Sequence, residues 1–493
     1  MRILHVFFGL LMTVLASDAY KILVIFPLPG KSHSILGGRV LNLGFLFPDL
    51  SFESILNQRF DMNGVMGLGM TIGFGYMFSE HIENGQIQKL MRDSTQKFDV
   101  VFAEWLFNDF LAMVPAAFDC PLIWYSSVEP HWQVTRLVDE ALSPAYNTDT
   151  FTSATVPFTF YERAHQLFLQ IAGHLFLGIA FILDARLYNR AVVPILEERG
   201  WPVPDYSDVV YNASMILGNT HVSLGKPIRL PQNYKHIGGH HIAPEVKPLP
   251  KDLQTLLDNA KDGLIYFSMG SNLKSKTIPK VLKEDLLKMF SQFKQTVLWK
   301  LEEDLPDLPK NVHIVHWAPQ PSILAHPNTV LFITHGGLLS TTEATHFGVP
   351  MIGIPIFADQ YSNVDRAVNR GFAKRVDLSY TMADSLKDVI FEMVSNPIYM
   401  QKAKEWSFIY HDRPIHPIKE MVHWVEHVIK TKGAPHLRSP ALLVPWYQKL
   451  YLDLLVVSII VIHVLVKAFR VLRFFYREFK TPVNKEKSKS KTQ

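Results

Sequence analysis

Residues 332–360, FITHGGLLSTTEATHFGVPMIGIPIFADQ, constrain the fold more than any other part of this chain. The apolar run at 330–334 has strand character. His335-Gly336-Gly337 lets the backbone turn sharply and lie close to a ligand. Ser340, Thr341 and Thr342 then open a helix, which Gly348 and Pro350 close in the order that helix ends prefer. A second strand follows, with the pair Asp359-Gln360 at its exit. Strand, helix and strand at this spacing make a βαβ unit, hence a parallel sheet with ligands at the carboxyl ends of its strands. The helix start offers unsatisfied N–H groups and a positive dipole end, which suit a diphosphate. Glu343, read in the first helical turn, supplies a carboxylate for a diol such as ribose. With Asp359-Gln360 as a second polar pair, the segment describes a nucleotide-sugar site.

At 493 residues the chain is too long for one core and suits two domains of about 200 residues each. Strands at 21–26, 98–103 and 121–126 belong to a first half, and a polar, proline-rich stretch at 230–250 ends it. Strands at 263–269, 297–300, 312–316, 330–334 and 351–354 form a second series. Two such alternations predict an α/β chain with two Rossmann-like domains facing across a cleft, at 20–235 and 236–435. The net charge of +4 misleads, because residues 467–493 carry nine Lys/Arg against Glu478 and Glu486. The rest of the chain is at −3, so nothing supports a nucleic-acid surface. Cys120 is the single cysteine, which excludes a disulfide framework and a thiolate metal site.

The two ends read as targeting segments. Residues 1–19 have the form of a secretory signal: Arg2, an apolar run, then the small residues of LASDA. Residues 447–466 are nearly all apolar and match the length of about 20 residues that spans a bilayer. A linker at 436–446 precedes them, and a basic tail at 467–493 follows. By the positive-inside rule the tail stays cytosolic, which makes this a single-pass type I protein with its body in the lumen. Lys489 and Lys491 resemble a dilysine retrieval signal of the endoplasmic-reticulum membrane. Asn212-Ala-Ser214 is a glycosylation sequon in the matching compartment.

Trp317-Ala318-Pro319-Gln320 precedes the His335-Gly336-Gly337 turn, and with it residues 332–360 resemble the signature of the UDP-glycosyltransferases. IYFSMGS at 265–271, FDVVFAEWLFNDF at 98–110 and RLYNRAVVPILEERGWP at 186–202 are also similar to that family, most of all to its insect members. The resemblance implies the GT-B fold. It implies that Trp317 stacks on uracil and that Gln320 holds the uridine. Ser271 and His335 contact the diphosphate beside the helix start near Ser340, Glu343 binds the ribose, and Asp359 with Gln360 binds the sugar. It further implies that His33, just after the first strand, is the general base. Glu104 stands where the family usually has an aspartate that orients that histidine; Asp109, five residues on, is a second candidate for that role but reads rather as a helix-surface charge.

The implied reaction is inverting transfer of a hexose from a UDP-sugar to a hydroxyl of a small lipophilic acceptor, in detoxification or in hormone or pigment conjugation. UDP-glucose is the expected donor and UDP-glucuronate the runner-up. No D-x-D motif suggests a metal-bound donor, so neither metal nor other cofactor is expected. The lipophilic acceptor is consistent with an apolar, aromatic-rich first half that includes Trp105, Phe107, Phe110 and Trp132, and homo- or hetero-oligomers are allowed. Between His33 and Phe98 the chain is several tens of residues shorter than the family pattern. That gap also suits an alternative, a catalytically impaired membrane-anchored subunit that binds UDP-sugar or lipophile, or modulates active relatives.

Overall fold

The computed structural model describes residues 3–6, 11–16, 20–26, 69, 73, 79–149, 152, 154, 156–270, 277–356 and 359–480. Among these, a first sheet runs in the order β1 (Ile3–Val6), β2 (Leu11–Ala16), β3 (Lys21–Phe26), β4 (Val100–Trp105), β5 (Leu122–Ser126), β6 (Met215–Gly218), β7 (Tyr234–His236). From β3 to β7 every pairing is parallel, whereas β1, β2 and β3 pair antiparallel. The residues read as a leader thus lie at the edge of this sheet. The second sheet is parallel throughout, with β8 (Leu264–Ser268), β9 (Thr296–Lys300), β10 (Val312–Val315), β11 (Thr329–Thr334), β12 (Met351–Gly353) and β13 (Ala373–Arg375) in the order β10-β9-β8-β11-β12-β13.

Both sheets are covered on both faces, which is why their strands read as continuous apolar runs. Alternation along β4 sends Val101, Ala103 and Trp105 into one core and Val100 and Phe102 into another. The second of these cores is capped by Val425 and Val428 of the helix Pro417–Lys430, so the chain returns to its first sheet after completing the second. In the other sheet Ile265, Phe267, Trp299 and Ile333 fill one side and Leu264, Tyr266, Leu298 and Phe332 the other. A helix that the sequence reading missed, Phe160–Ala191, begins at Thr159 with a capping box to Glu162 and buries Leu169, Gly173, Leu177, Leu187 and Tyr188.

Residues 3–438 and 439–480 fall in two compact units. In the second, the helix Leu452–Lys480 has no buried residue and is long and apolar enough to cross a membrane. It starts later than the predicted span and runs on past it. Phe160–Glu198 is also long and apolar enough to cross a membrane by length and composition alone.

Candidate donor site

The carboxyl ends of β8, β9, β10, β11 and β12 converge on one place, and the loops leaving them supply the site. β11 ends at Thr334, and Gly336 then adopts a left-handed backbone, φ +78°. A Cβ on Gly336 would stand 2.3 Å from Cγ2 of Val364, so only glycine fits there. Gly337 takes an extended conformation and becomes the residue preceding the helix Leu338–Phe347. The helix therefore opens two residues before Ser340, because the glycine pair makes the turn and a polar capping side chain is not used. Thr341 donates to Gly337 O at 2.9 Å as the first intrahelical bond. The N–H groups of Leu338, Leu339 and Ser340 are consequently the donors of this helix end.

Glu343 lies in the second turn rather than the first, one turn deeper than the sequence suggested, and is buried. Its Oε2 accepts from Gln320 Nε2 at 2.7 Å, and the same amide donates to Ser340 Oγ at 3.2 Å. On its other side, Oε1 lies 3.3 Å from Nε2 of His241. Gln320, Ser340 and Glu343, all read from the sequence, are thus joined; His241 is an addition. Trp317, before Gln320, is 56% exposed. A large indole left in the open beside buried polar groups is no core residue; it presents a face for stacking. Lys300, at the end of β9, places Nζ 5.8 Å from the centre of that ring and donates to Gly270 O at 2.8 Å.

The His335 ring sits between Gly270 and Gly337: a Cβ on either would come within 2.5 or 2.6 Å of it. Burial, with the Lys300 ammonium adding to it, pulls the His335 imidazole down to about 4. It is neutral at physiological pH and offers one N–H to an anion. Ser271 follows Gly270 but lies outside the described residues, as does His33.

Asp359 and Gln360 open the helix Gln360–Asn369. Gln360 Oε1 accepts from the Ile356 N–H at 2.8 Å, which fixes the loop leaving β12. Asp359 Oδ2 accepts from Asn363 Nδ2 at 2.8 Å, and the same amide reaches Gly336 O at 3.2 Å. Asp359 and the glycine turn are therefore held together by Asn363, a residue that sequence reading passed over. An open-mouthed cleft runs beside Leu338, Thr341, Thr342 and Asn363, and its other wall comes from Glu129, Asn219, Thr220 and His221 of the first sheet's loops.

The first sheet contributes Glu104, fully buried as the penultimate residue of β4 and paired in register with Tyr125. One expectation needs correction here. Asp109 is not a helix-surface charge: it is buried, accepts from Trp105 Nε1 at 2.9 Å and ion-pairs with Arg136. Trp105, Phe110 and Trp132 are buried, and Trp132 also lines a small cavity with His131, Leu142 and Gln166.

Residues 74–489 match the model of the family described as UDP-glucoronosyl and UDP-glucosyl transferase. This chain belongs to the UDP-glycosyltransferase family. It is 33% identical over 377 residues to UDP-glycosyltransferase UGT5 of Dactylopius coccus, covering 75% of this chain and 69% of that protein. It is 31% identical over 423 residues to UDP-glucuronosyltransferase 2B15 of Rattus norvegicus, covering 83% and 75%. Among solved structures, the glycosyltransferase VinC in complex with DTDP superposes with a TM-score of 0.53 at 15% identity, over 83% of this chain and 92% of that one. The fold is GT-B, as the sequence predicted, and the protein is a UDP-glycosyltransferase enzyme.

Proposed function

We propose that the enzyme transfers glucose from UDP-glucose to the hydroxyl of a small lipophilic acceptor, with inversion at the anomeric carbon. The observation that carries the donor reading is the exposed Trp317 next to the buried Gln320–Ser340–Glu343 network at the start of a helix. Uracil stacks on Trp317, and the ribose diol meets Glu343, held in place by Gln320 and His241. The diphosphate lies against the N–H groups of Leu338, Leu339 and Ser340, neutral His335 and Ser271, with Lys300 adding positive charge. Asp359 and Gln360 take the sugar hydroxyls.

In the reaction the acceptor oxygen forms a bond to the anomeric carbon as the bond to the β-phosphate oxygen breaks. His33 takes the acceptor proton, and Glu104 orients the imidazole and balances its charge. The leaving UDP is stabilised by oriented N–H dipoles, so turnover is independent of metal. The site faces the endoplasmic-reticulum lumen, with the helix Leu452–Lys480 as its anchor. Microsomes carrying the chain, supplied with UDP-glucose and a panel of phenols, should form glucoside that vanishes in His33→Ala and survives a chelator. Binding of UDP without product from any acceptor would instead favour the non-catalytic subunit. That second reading draws support from β3, which among the described residues pairs with β4 on one edge and with β2 on the other.

A further inference from the structure

Asn363 is fully buried, and its amide is read three ways at once. Nδ2 donates to Asp359 Oδ2 and to Gly336 O, while Oδ1 accepts from Arg366 Nη2 at 2.6 Å. An asparagine amide is nearly symmetric in shape, so only its partners decide which end faces the carboxylate. Arg366 supplies that decision: a guanidinium has no acceptor, so the oxygen must face it and the NH₂ must face Asp359. Arg366 in turn lies 3.5 Å from Glu129 Oε1, on the loop after β5 in the other half of the body, and both side chains are 18% exposed. Glu129 is held close, since a Cβ on Gly225 would come within 2.9 Å of its Oε2. It is also the acid that the cations Lys226, Arg366 and Arg370 share.

We propose that Glu129, Arg366 and Asn363 form a positioning relay that sets the Asp359 carboxylate for the donor sugar and ties that setting to the first domain across the cleft. The proposal rests on the reading that Asp359 binds the sugar. A plain interdomain ion pair would steady the two halves and affect every ligand alike. A relay ending on Asp359 acts on the sugar and spares the nucleotide.

The test uses the full chain in detergent, with dissociation constants for UDP and for UDP-glucose measured by calorimetry in the absence of acceptor. Arg366→Lys keeps the charge that Glu129 faces and loses the planar fork; Glu129→Gln removes the cross-cleft charge; Asp359→Asn marks the end of the relay. Each should weaken UDP-glucose by roughly 5- to 20-fold and leave UDP within about twofold, and Arg366→Lys should add little on top of Asp359→Asn. Equal losses for UDP and UDP-glucose, or additive effects of Arg366→Lys and Asp359→Asn, would overturn the relay. So would a silent Arg366→Lys or Glu129→Gln beside an effective Asp359→Asn. A silent Asp359→Asn would remove the sugar reading itself, and the relay with it.

Discussion

Trp317 is the residue whose role separates most cleanly from folding. Its ring is more than half exposed, so removing it costs the core little, and stacking on a base is worth about 1–3 kcal/mol. Trp317→Ala should weaken UDP by roughly 10- to 100-fold in a calorimetric titration with no shift in the melting midpoint, and Trp317→Phe should recover much of that affinity. Four histidines give a second residue-scale prediction. His131 and His335 are pulled to about 4, and His221 and His346 to about 3, in each case chiefly by burial. Their folded values lie below the ordinary 6.5, so the unfolded chain binds more protons between these limits. Stability is therefore complete above about pH 6.5 and lost as the pH falls below it, by about 1–2 kcal/mol per histidine at pH 5. Urea midpoints at pH 7.5 and 5 should show this fall, and His346→Gln should make it shallower. What the sequence disclosed at this scale was whatever sits within one motif: Trp317, Gln320, His335, Asp359. Glu343's partner His241, some 100 residues earlier, and Asn363 and Arg366, hidden on an ordinary helix, depend on packing that no local pattern records.

At the scale of elements, the βαβ unit is keyed by one contact. Val364, on the helix after Asp359, sits where a Cβ on either Gly336 or Gly353 would lie, 2.3 Å away in both cases. Gly353 ends β12 and Gly336 follows β11, so this valine closes the last helix onto two strand exits at once. Gly336→Ala meets both the clash and a left-handed φ and should cost about 2–4 kcal/mol, seen as a lower melting midpoint together with weaker UDP binding. Val364→Ala in the Gly336→Ala background should recover part of the melting temperature, since it removes the obstructing methyls. The strands with long apolar runs were legible because full burial leaves a strong signal. β6, β7 and β13 were missed: at three or four residues they show little pattern, and unlike the equally short β10 and β12 they stand beside no motif that marks them. The helix Phe160–Ala191 escaped for another reason. Apolar residues such as Phe168, Ile171, Leu175 and Ile179 stand exposed opposite its buried stripe, which blurs the helical period.

For the molecule as a whole, two parallel-sheet domains and an apolar C-terminal helix were legible in the sequence, whereas the path of the chain between the sheets was not. The helix Pro417–Lys430 lies on the first sheet, a return that follows from topology and not from composition. The anchor prediction is sharpened by the helix itself. It begins at Leu452, after a left-handed Tyr451, and Lys467, Arg470 and Arg473 fall inside it. Trp446 and Tyr447 precede it, and Phe474, Phe475 and Tyr476 stand near its other end. Aromatic residues mark bilayer interfaces, and long cationic side chains reach back to them, so the proposed type I topology puts the span between these two groups with its cations snorkelling to the cytosolic side. On that proposal Asn212, an exposed residue, would face the lumen. Arg438 donates to its carbonyl at 3.0 Å and also contacts its side-chain oxygen. The amide nitrogen that would carry a glycan is the other end of that side chain. The chain expressed in cells should therefore resist carbonate extraction and lose one glycan's mass on endoglycosidase H treatment, a shift abolished by Asn212→Gln. Without residues 446–493 it should leave the carbonate-resistant fraction and keep the glycan. A full-length chain that binds the membrane but is never glycosylated, while a sequon engineered beyond Lys480 is, would reverse the topology and place the donor site in the cytosol.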